Sequence, residues 1–281
     1  MPESGRKAEV VVDLNATLED AWRVISEAEE LMRWFPLEAE VKPGVGGSMR
    51  WGWGDSFSGT ARIESWEPPH LLRLVQEEQR PYDADGRVLP PGEAEPARLV
   101  VEMKLETRAG KTVLRLIHSG FGQGAAWDDE LEGVSNGWQF ELRSLAHYVS
   151  RHLGKDRHIG WATGKTSLSH AAVWRGLHGA GGFTVEAESM DVGRAFTLRT
   201  PSGGMFSGTV MLHVPEREFA GTVRELGDGI IRLGTWRAGG ETGVHVWAAT
   251  WNRQYAELAA EFGREGEKLL VEKGWKAGSV E

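Results

Sequence analysis

The tetrad Phe-Ser-Gly-Thr occurs twice in this chain, at residues 57–60 and 206–209, and each copy opens a stretch that reads as a strand. Each strand runs into a proline-containing turn, "EPPH" after the first and "VPER" after the second, and a further strand follows. Four residues alone constrain little, but the same order of elements around both copies points to a duplicated unit. A chain of 281 residues has room for two such units. We therefore expect two domains, residues 1–153 and 154–281.

The first half defines the unit. "EVVVDL" at residues 9–14 alternates, with Val10, Val12 and Leu14 on one face, and reads as a strand. A helix follows: Asn15 or Thr17 suits its N-cap, and Glu19 and Asp20 suit its positive first turn. A second short helix over residues 28–34 must stop before Pro36. Period two then takes over, with strands expected at residues 48–53, 57–66, 71–77, 98–107 and 112–119. Their short connections imply antiparallel hairpins.

In "RLVVEMKLET", Leu99, Val101, Met103 and Leu105 face one way, and Glu102, Lys104 and Glu106 the other. One face needs a cover. A long helix over residues 129–152 supplies it, with Leu131, Val134, Trp138, Leu142, Leu145 and Val149 at helical spacing. The segment 79–96, broken by four prolines, reads as an insertion between two strands. In the second half, "LGKDRHIGWATGKT" reads as a linker or a degraded first strand. A short helix capped by Ser167 or Ser169 follows, then strands at 194–199, 205–214, 218–225, 230–237 and 243–251, and a helix over 253–273.

Composition excludes several function classes. A net charge of −9 without a Lys/Arg cluster argues against nucleic acid as partner. No apolar run approaches the roughly 20 residues of a membrane span, and the first residues, "MPESGRKAEV", lack the apolar core of a signal peptide. With no cysteine to form disulfides, a cytoplasmic protein that does not act on membranes is expected. No cofactor is indicated, and the histidines show no metal-ligand spacing on a helix. "GWATGKT" has one residue too few between its glycines for a phosphate loop. No nucleophile signature appears, so no catalytic residue is assigned. "WDDE" at residues 127–130 supplies negative charge to a helix N-terminus.

Thirteen tryptophans against three tyrosines is heavy use of the largest side chain. In "RWGWGDSFSGT", alternation puts Met49, Trp51 and Trp53 on one face and Arg50 on the other. With Arg50 in water, the indoles and Phe57 face the long helix, where they either line a pocket or fill a solid core. Glycines at 52 and 54 favour the pocket. Met103 shares that face. His118, at the end of its strand, either orients a polar ligand group or is a hydrogen-bonded structural residue. Phe121 and Trp127 are expected at the mouth, with Trp138 on the helix opposite.

Six segments, "DAWRVI", "LMRWFP", "GGSMRW", "FSGTARIESWEPPHLLRL", "HSGFG" and "NGWQFELRSLAHYV", resemble in order and spacing the activator of Hsp90 ATPase homologue-like family. That family belongs to the START or Bet v 1-like (SRPBCC) superfamily. The resemblance covers nearly all of residues 7–153, and the second half looks like a diverged copy, lacking the second short helix and the "HSGF" and "GW" motifs. It implies an α+β fold of two tandem helix-grip domains, each a curved antiparallel sheet around a long C-terminal helix. Such domains usually enclose a cavity suited to apolar small molecules. Non-catalytic binding of a hydrophobic, aromatic molecule by Met49, Trp51, Trp53, Phe57 and Trp138 is the leading expectation. The family's name implies a co-chaperone or stress-response role with a chaperone as partner. Related two-domain proteins imply a third alternative, a polyketide aromatase or cyclase with His118 as proton carrier.

Overall fold

The computed structural model describes residues 6–54, 57–83 and 87–278. The chain divides into two compact units, Met1–Gly154 and Lys155–Glu281. The turn expected at Asp55 and Ser56, and residues 84–86 of the insertion, lie outside the described residues.

The first unit opens with strand β1 (Lys7–Leu14), helices α1 (Leu18–Ser26) and α2 (Ala28–Met32), and strands β2 (Glu38–Lys42), β3 (Ser48–Gly52) and β4 (Ser58–Glu67). Strands β5 (Leu71–Gln79), β6 (Ala97–Arg108) and β7 (Lys111–Ser119) and helix α3 (Ala125–Arg151) complete it. The seven strands form one antiparallel sheet in the order β1-β7-β6-β5-β4-β3-β2. Alternation fixes its register: Val101, Met103 and Leu105 pair with His118, Leu116 and Leu114, and all six are buried.

Local chemistry sets the helix limits. Thr17 Oγ1 accepts from the Asp20 backbone N–H at 3.0 Å and starts α1. Helix α2 is shorter than expected, because residues 33–34 already turn toward Pro36. Helix α3 starts at Ala125 rather than residue 129 and buries Trp127, Phe140, Leu142, Leu145, Tyr148 and Val149. Strand β2, "EAEVK", escapes a hydrophobicity reading because it is an edge strand of alternating exposed and half-buried residues.

The second unit repeats the plan. Strand β8 (His158–Thr166), helix α4 (His170–His178), and strands β9 (Thr184–Ala187), β10 (Ala195–Arg199), β11 (Met205–Val214), β12 (Glu218–Val223), β13 (Gly229–Ala238) and β14 (Glu241–Thr250) precede helix α5 (Ala256–Glu272) and strand β15 (Lys276–Gly278). The sheet order is β15-β8-β14-β13-β12-β11-β10-β9, the order of the first sheet with β15 added at one edge. The protein is thus α+β, two tandem helix-grip domains. Helix α4 stands alone where the first domain has two helices, and Ser169, not Ser167, caps it.

"HIGWATGKT" is strand β8, flanked on both sides by other strands. Of the two readings of this segment, linker or degraded first strand, the second holds. A Cβ at Gly160 would meet the Ala259 carbonyl oxygen of α5 at 1.7 Å, and a Cβ at Gly263 would meet the Trp161 nitrogen at 2.4 Å. Helix α5 therefore rests on bare strand backbone, a contact only glycine allows. Among the described residues no helix is long and apolar enough to cross a membrane.

Candidate ligand-binding site

Between α3 and the sheet of the first domain lies a cavity of about 240 Å³. Its sheet wall consists of Met49, Trp51 and Trp53 from β3 and its exit, Leu74 and Gln76 from β5, Val101 and Met103 from β6, and His118 from β7. The helix contributes Glu130, Val134, Gly137, Trp138 and Glu141. Their spacing of three and four residues puts them on one face of α3.

Aromatic rings close the ends. Phe35, just past α2, stacks on Trp34 and on Trp138, with centroids 5.3 Å apart in both pairs, and meets Trp53 edge-on at 5.1 Å. Trp53 continues to Phe57 at 5.5 Å, and Phe57 to Tyr82 at 4.8 Å. Each such pair contributes about 0.5–1.5 kcal/mol beyond its area, so the wall is a linked framework and not a set of loose rings. Trp51 lies apart from this chain: it pairs across the strands with Gly59. A Cβ at position 59 would stand 2.7 Å from the indole, so the glycine of the first tetrad makes room for Trp51.

Of the titratable groups that line the cavity, buried His118 and half-buried Glu130 are the most perturbed. His118 is 7% exposed, and its Nδ1 accepts the indole N–H of Trp138 at 3.2 Å. An indole nitrogen only donates, so the neutral imidazole carries its proton on Nε2, which has no hydrogen-bond partner among the described residues. Burial lowers the His118 pKa to about 4. At neutral pH Nδ1 is engaged by the Trp138 indole, and Nε2 carries an N–H that no described protein group accepts.

Glu130 differs. Burial raises its pKa to about 7, and only the Tyr82 backbone N–H, donating to Oε2 at 3.3 Å, counters this. Burial also raises the Tyr82 hydroxyl, with the Glu130 charge adding to it.

A sequence comparison now places this domain. Residues 15–150 match the profile described as "Activator of Hsp90 ATPase homolog 1-like protein" (AHSA1). Over most of its length the first domain is thus similar to that family, and it is called here the AHSA1-like domain. No curated protein matches the sequence significantly. Among solved structures, the chain is similar to the Aha1 dimer from Colwellia psychrerythraea, at 14% identity over 53% of this chain and 98% of that one, with a TM-score of 0.41. DynU16, from the dynemicin biosynthetic locus, is 17% identical over 95% and 97% of the two chains, with a TM-score of 0.41. The di-domain ARO/CYC BexL from the BE-7585A biosynthetic pathway is 15% identical over 96% and 94%, again at 0.41.

Of the residues singled out in the sequence, the AHSA1-like domain brings Met49, Trp51, Trp53, Phe57, Met103, His118 and Trp138 together around the cavity. Phe121 and Trp127 do not line it. They stand one layer behind, Phe121 against the His118 ring at 4.9 Å and against Trp127 at 6.2 Å. The early start of α3 explains the difference: Trp127 falls in its first turn, where its indole N–H donates to the Glu95 carbonyl at 3.0 Å and its ring covers Gly122. Both are supports for His118, not mouth residues.

The sequence reading missed Glu130, Glu141, Phe35 and Tyr82. Glu130 had a signal, since it precedes Val134 by four residues and Trp138 by eight, but "WDDE" was read only as helix-terminal charge. In the structure Asp128 takes that role in the first turn, and Glu130 turns inward. Tyr82 had none, lying in a proline-rich connection whose described residues include two tied to α3, through Glu130 and Trp127.

Proposed function

We propose that the AHSA1-like domain binds an apolar, ring-bearing small molecule in the cavity between α3 and the sheet. The observation that carries this reading is a 240 Å³ space walled by connected aromatic rings. An apolar cavity of about 150 Å³ takes up one benzene ring, so this one suits a body of about two fused rings. Binding needs no chemical step, and His118, neutral and held through Nδ1 by Trp138, serves as part of the wall.

Calorimetric titration of the full chain with 2-naphthylmethanol, a neutral bicyclic probe, tests the reading. Saturable one-site binding is expected, accompanied by a shift in tryptophan fluorescence. Trp51→Ala should weaken binding by about tenfold or more, the equivalent of about 1.4 kcal/mol of lost ring contact. No binding, or unchanged affinity in Trp51→Ala, would overturn it.

One observation favours a second reading. A carboxyl group held near neutrality inside a cavity has the pKa that proton transfer needs, so Glu130, not His118, is the candidate acid or base for cyclase-like chemistry. Incubation with a poly-ketone analogue, comparing wild type with Glu130→Gln, decides it: equal rates leave a binding protein.

A further inference from the structure

The lining shows a charge asymmetry that an apolar pocket does not require. Among the described residues its charged side chains are two glutamates, Glu130 and Glu141, with no lysine or arginine. Beside aliphatic side chains the lining holds Trp51, Trp53, Phe57, Tyr82 and Trp138, and a ring face carries the negative end of the aromatic quadrupole. Ring faces and carboxylates attract the same class of group, a cation. An anionic ligand would bring like charges together with no counter-charge in the lining.

The two glutamates lie about 16 Å apart along the axis of α3, at 1.5 Å per residue, and so serve different ends of the cavity. At the Glu130 end three groups converge. Tyr82 donates its backbone N–H to the carboxyl, and the Tyr82 and Phe57 rings meet at 4.8 Å in a T-shaped pair. At the other end Phe35 and Trp138 stack together, leaving less ring face open.

We propose that the ligand is a lipophilic organic amine, its ring system lodged against Trp51 and Trp53 and its ammonium seated at Glu130 beside Phe57 and Tyr82. This rests on the binding reading above and narrows it to one charge class. Burial disfavours the Glu130 charge, and an ammonium partner offsets that cost by direct attraction.

Three probes of matched size separate the two claims: 2-naphthylmethylamine, protonated at neutral pH, neutral 2-naphthylmethanol, and anionic 2-naphthoate. In calorimetric titrations of the full chain, the amine should bind about tenfold more tightly than the alcohol, and the naphthoate more weakly than either. In Glu130→Gln the amine-to-alcohol affinity ratio should fall toward one, while Glu141→Gln should change it less. A ratio measured within one variant is insensitive to any change in the folded fraction. Alcohol binding at least as tight as the amine, or a ratio that survives Glu130→Gln, would overturn the amine assignment and leave the binding reading standing. Absence of binding by all three would overturn both.

Discussion

The two domains share a strand order and a tetrad, yet at matching positions one lines a cavity and the other builds a packed core. In the first, Trp51 on β3 and Trp53 just past its end are half-buried and line the cavity. In the second, the residues at the same register positions are Phe196 and Leu198, opposite Gly208 and Phe206, and both are buried in one continuous core. Phe196 packs on Phe219 at 5.0 Å and Phe206 on Phe262 at 5.4 Å. Smaller side chains thus accompany a filled interior, and larger ones an open one. The tetrad glycine also differs in role. Gly59 makes room for an indole, while a Cβ at Gly208 would stand 1.6 Å from the Thr222 carbonyl oxygen of the neighbouring strand.

The largest expected contrast is at the tetrad phenylalanines. Phe206→Ala should cost about 3–5 kcal/mol in chemical unfolding, the range for a fully packed Phe, and Phe57→Ala about half as much, because Phe57 already borders a cavity. Equal losses would mean that the first cavity is closed in solution.

The tetrad glycines come next. Gly208→Ala must push two backbones apart and should lower stability by about 3 kcal/mol. Gly59→Ala meets only a ring with space beside it and should cost about 1 kcal/mol, yet it should displace Trp51 and weaken 2-naphthylmethanol binding. Unfolding curves and calorimetry on the same preparations separate the two effects.

Helix α3 offers a gain. Gly133 and Gly137 both have free space where a Cβ would stand, so alanine at either should add roughly 1 kcal/mol of helix stability. Only Gly137 lines the cavity, so only Gly137→Ala should also alter ligand affinity.

The smallest effect concerns pH. The folded state raises Glu130 from an ordinary 4.5 to about 7, so it binds that proton more tightly than the unfolded chain does. This contribution is complete below about pH 4.5 and is lost as pH rises through about 7. Relative to Glu130→Gln, the wild-type melting temperature should therefore fall by a few degrees across that window and level off above it. A flat difference would place Glu130 in water.

Much of this was legible in the sequence. Period-two alternation gave the apolar face of each long strand, and three-and-four spacing gave the covering helix. Strands β2 and β9 were not, because short polar edge strands bury too little to leave a pattern. Strand β8 was legible only as one of two alternatives, because it carries a glycine that seats α5. For the cavity, alternation placed Met49, Trp51 and Trp53 correctly, since side-chain direction in a strand follows parity alone. Parity says nothing of depth, so Phe121 and Trp127, one layer back, looked the same as wall residues. Glu130 was hidden because a charge near a helix start has a sufficient local explanation, and only the tertiary fold shows which turn it occupies.

The seating of α5 on Gly160 and Gly263 has an evolutionary consequence. In the first domain, β1 presents Ala8, Val10 and Leu14 as buried side chains, whereas β8 offers bare backbone to its helix at Gly160. Trimming core residues of the second domain would leave sealed voids, because the helix stays seated on the strand. Reopening a pocket there needs side chains restored at the glycine contact and large rings installed at positions 196 and 198, each step destabilising until the others are made. A pocket at this contact is therefore out of reach of single substitutions in the second domain, whereas the first domain, whose strand carries side chains at that edge, is under no such constraint.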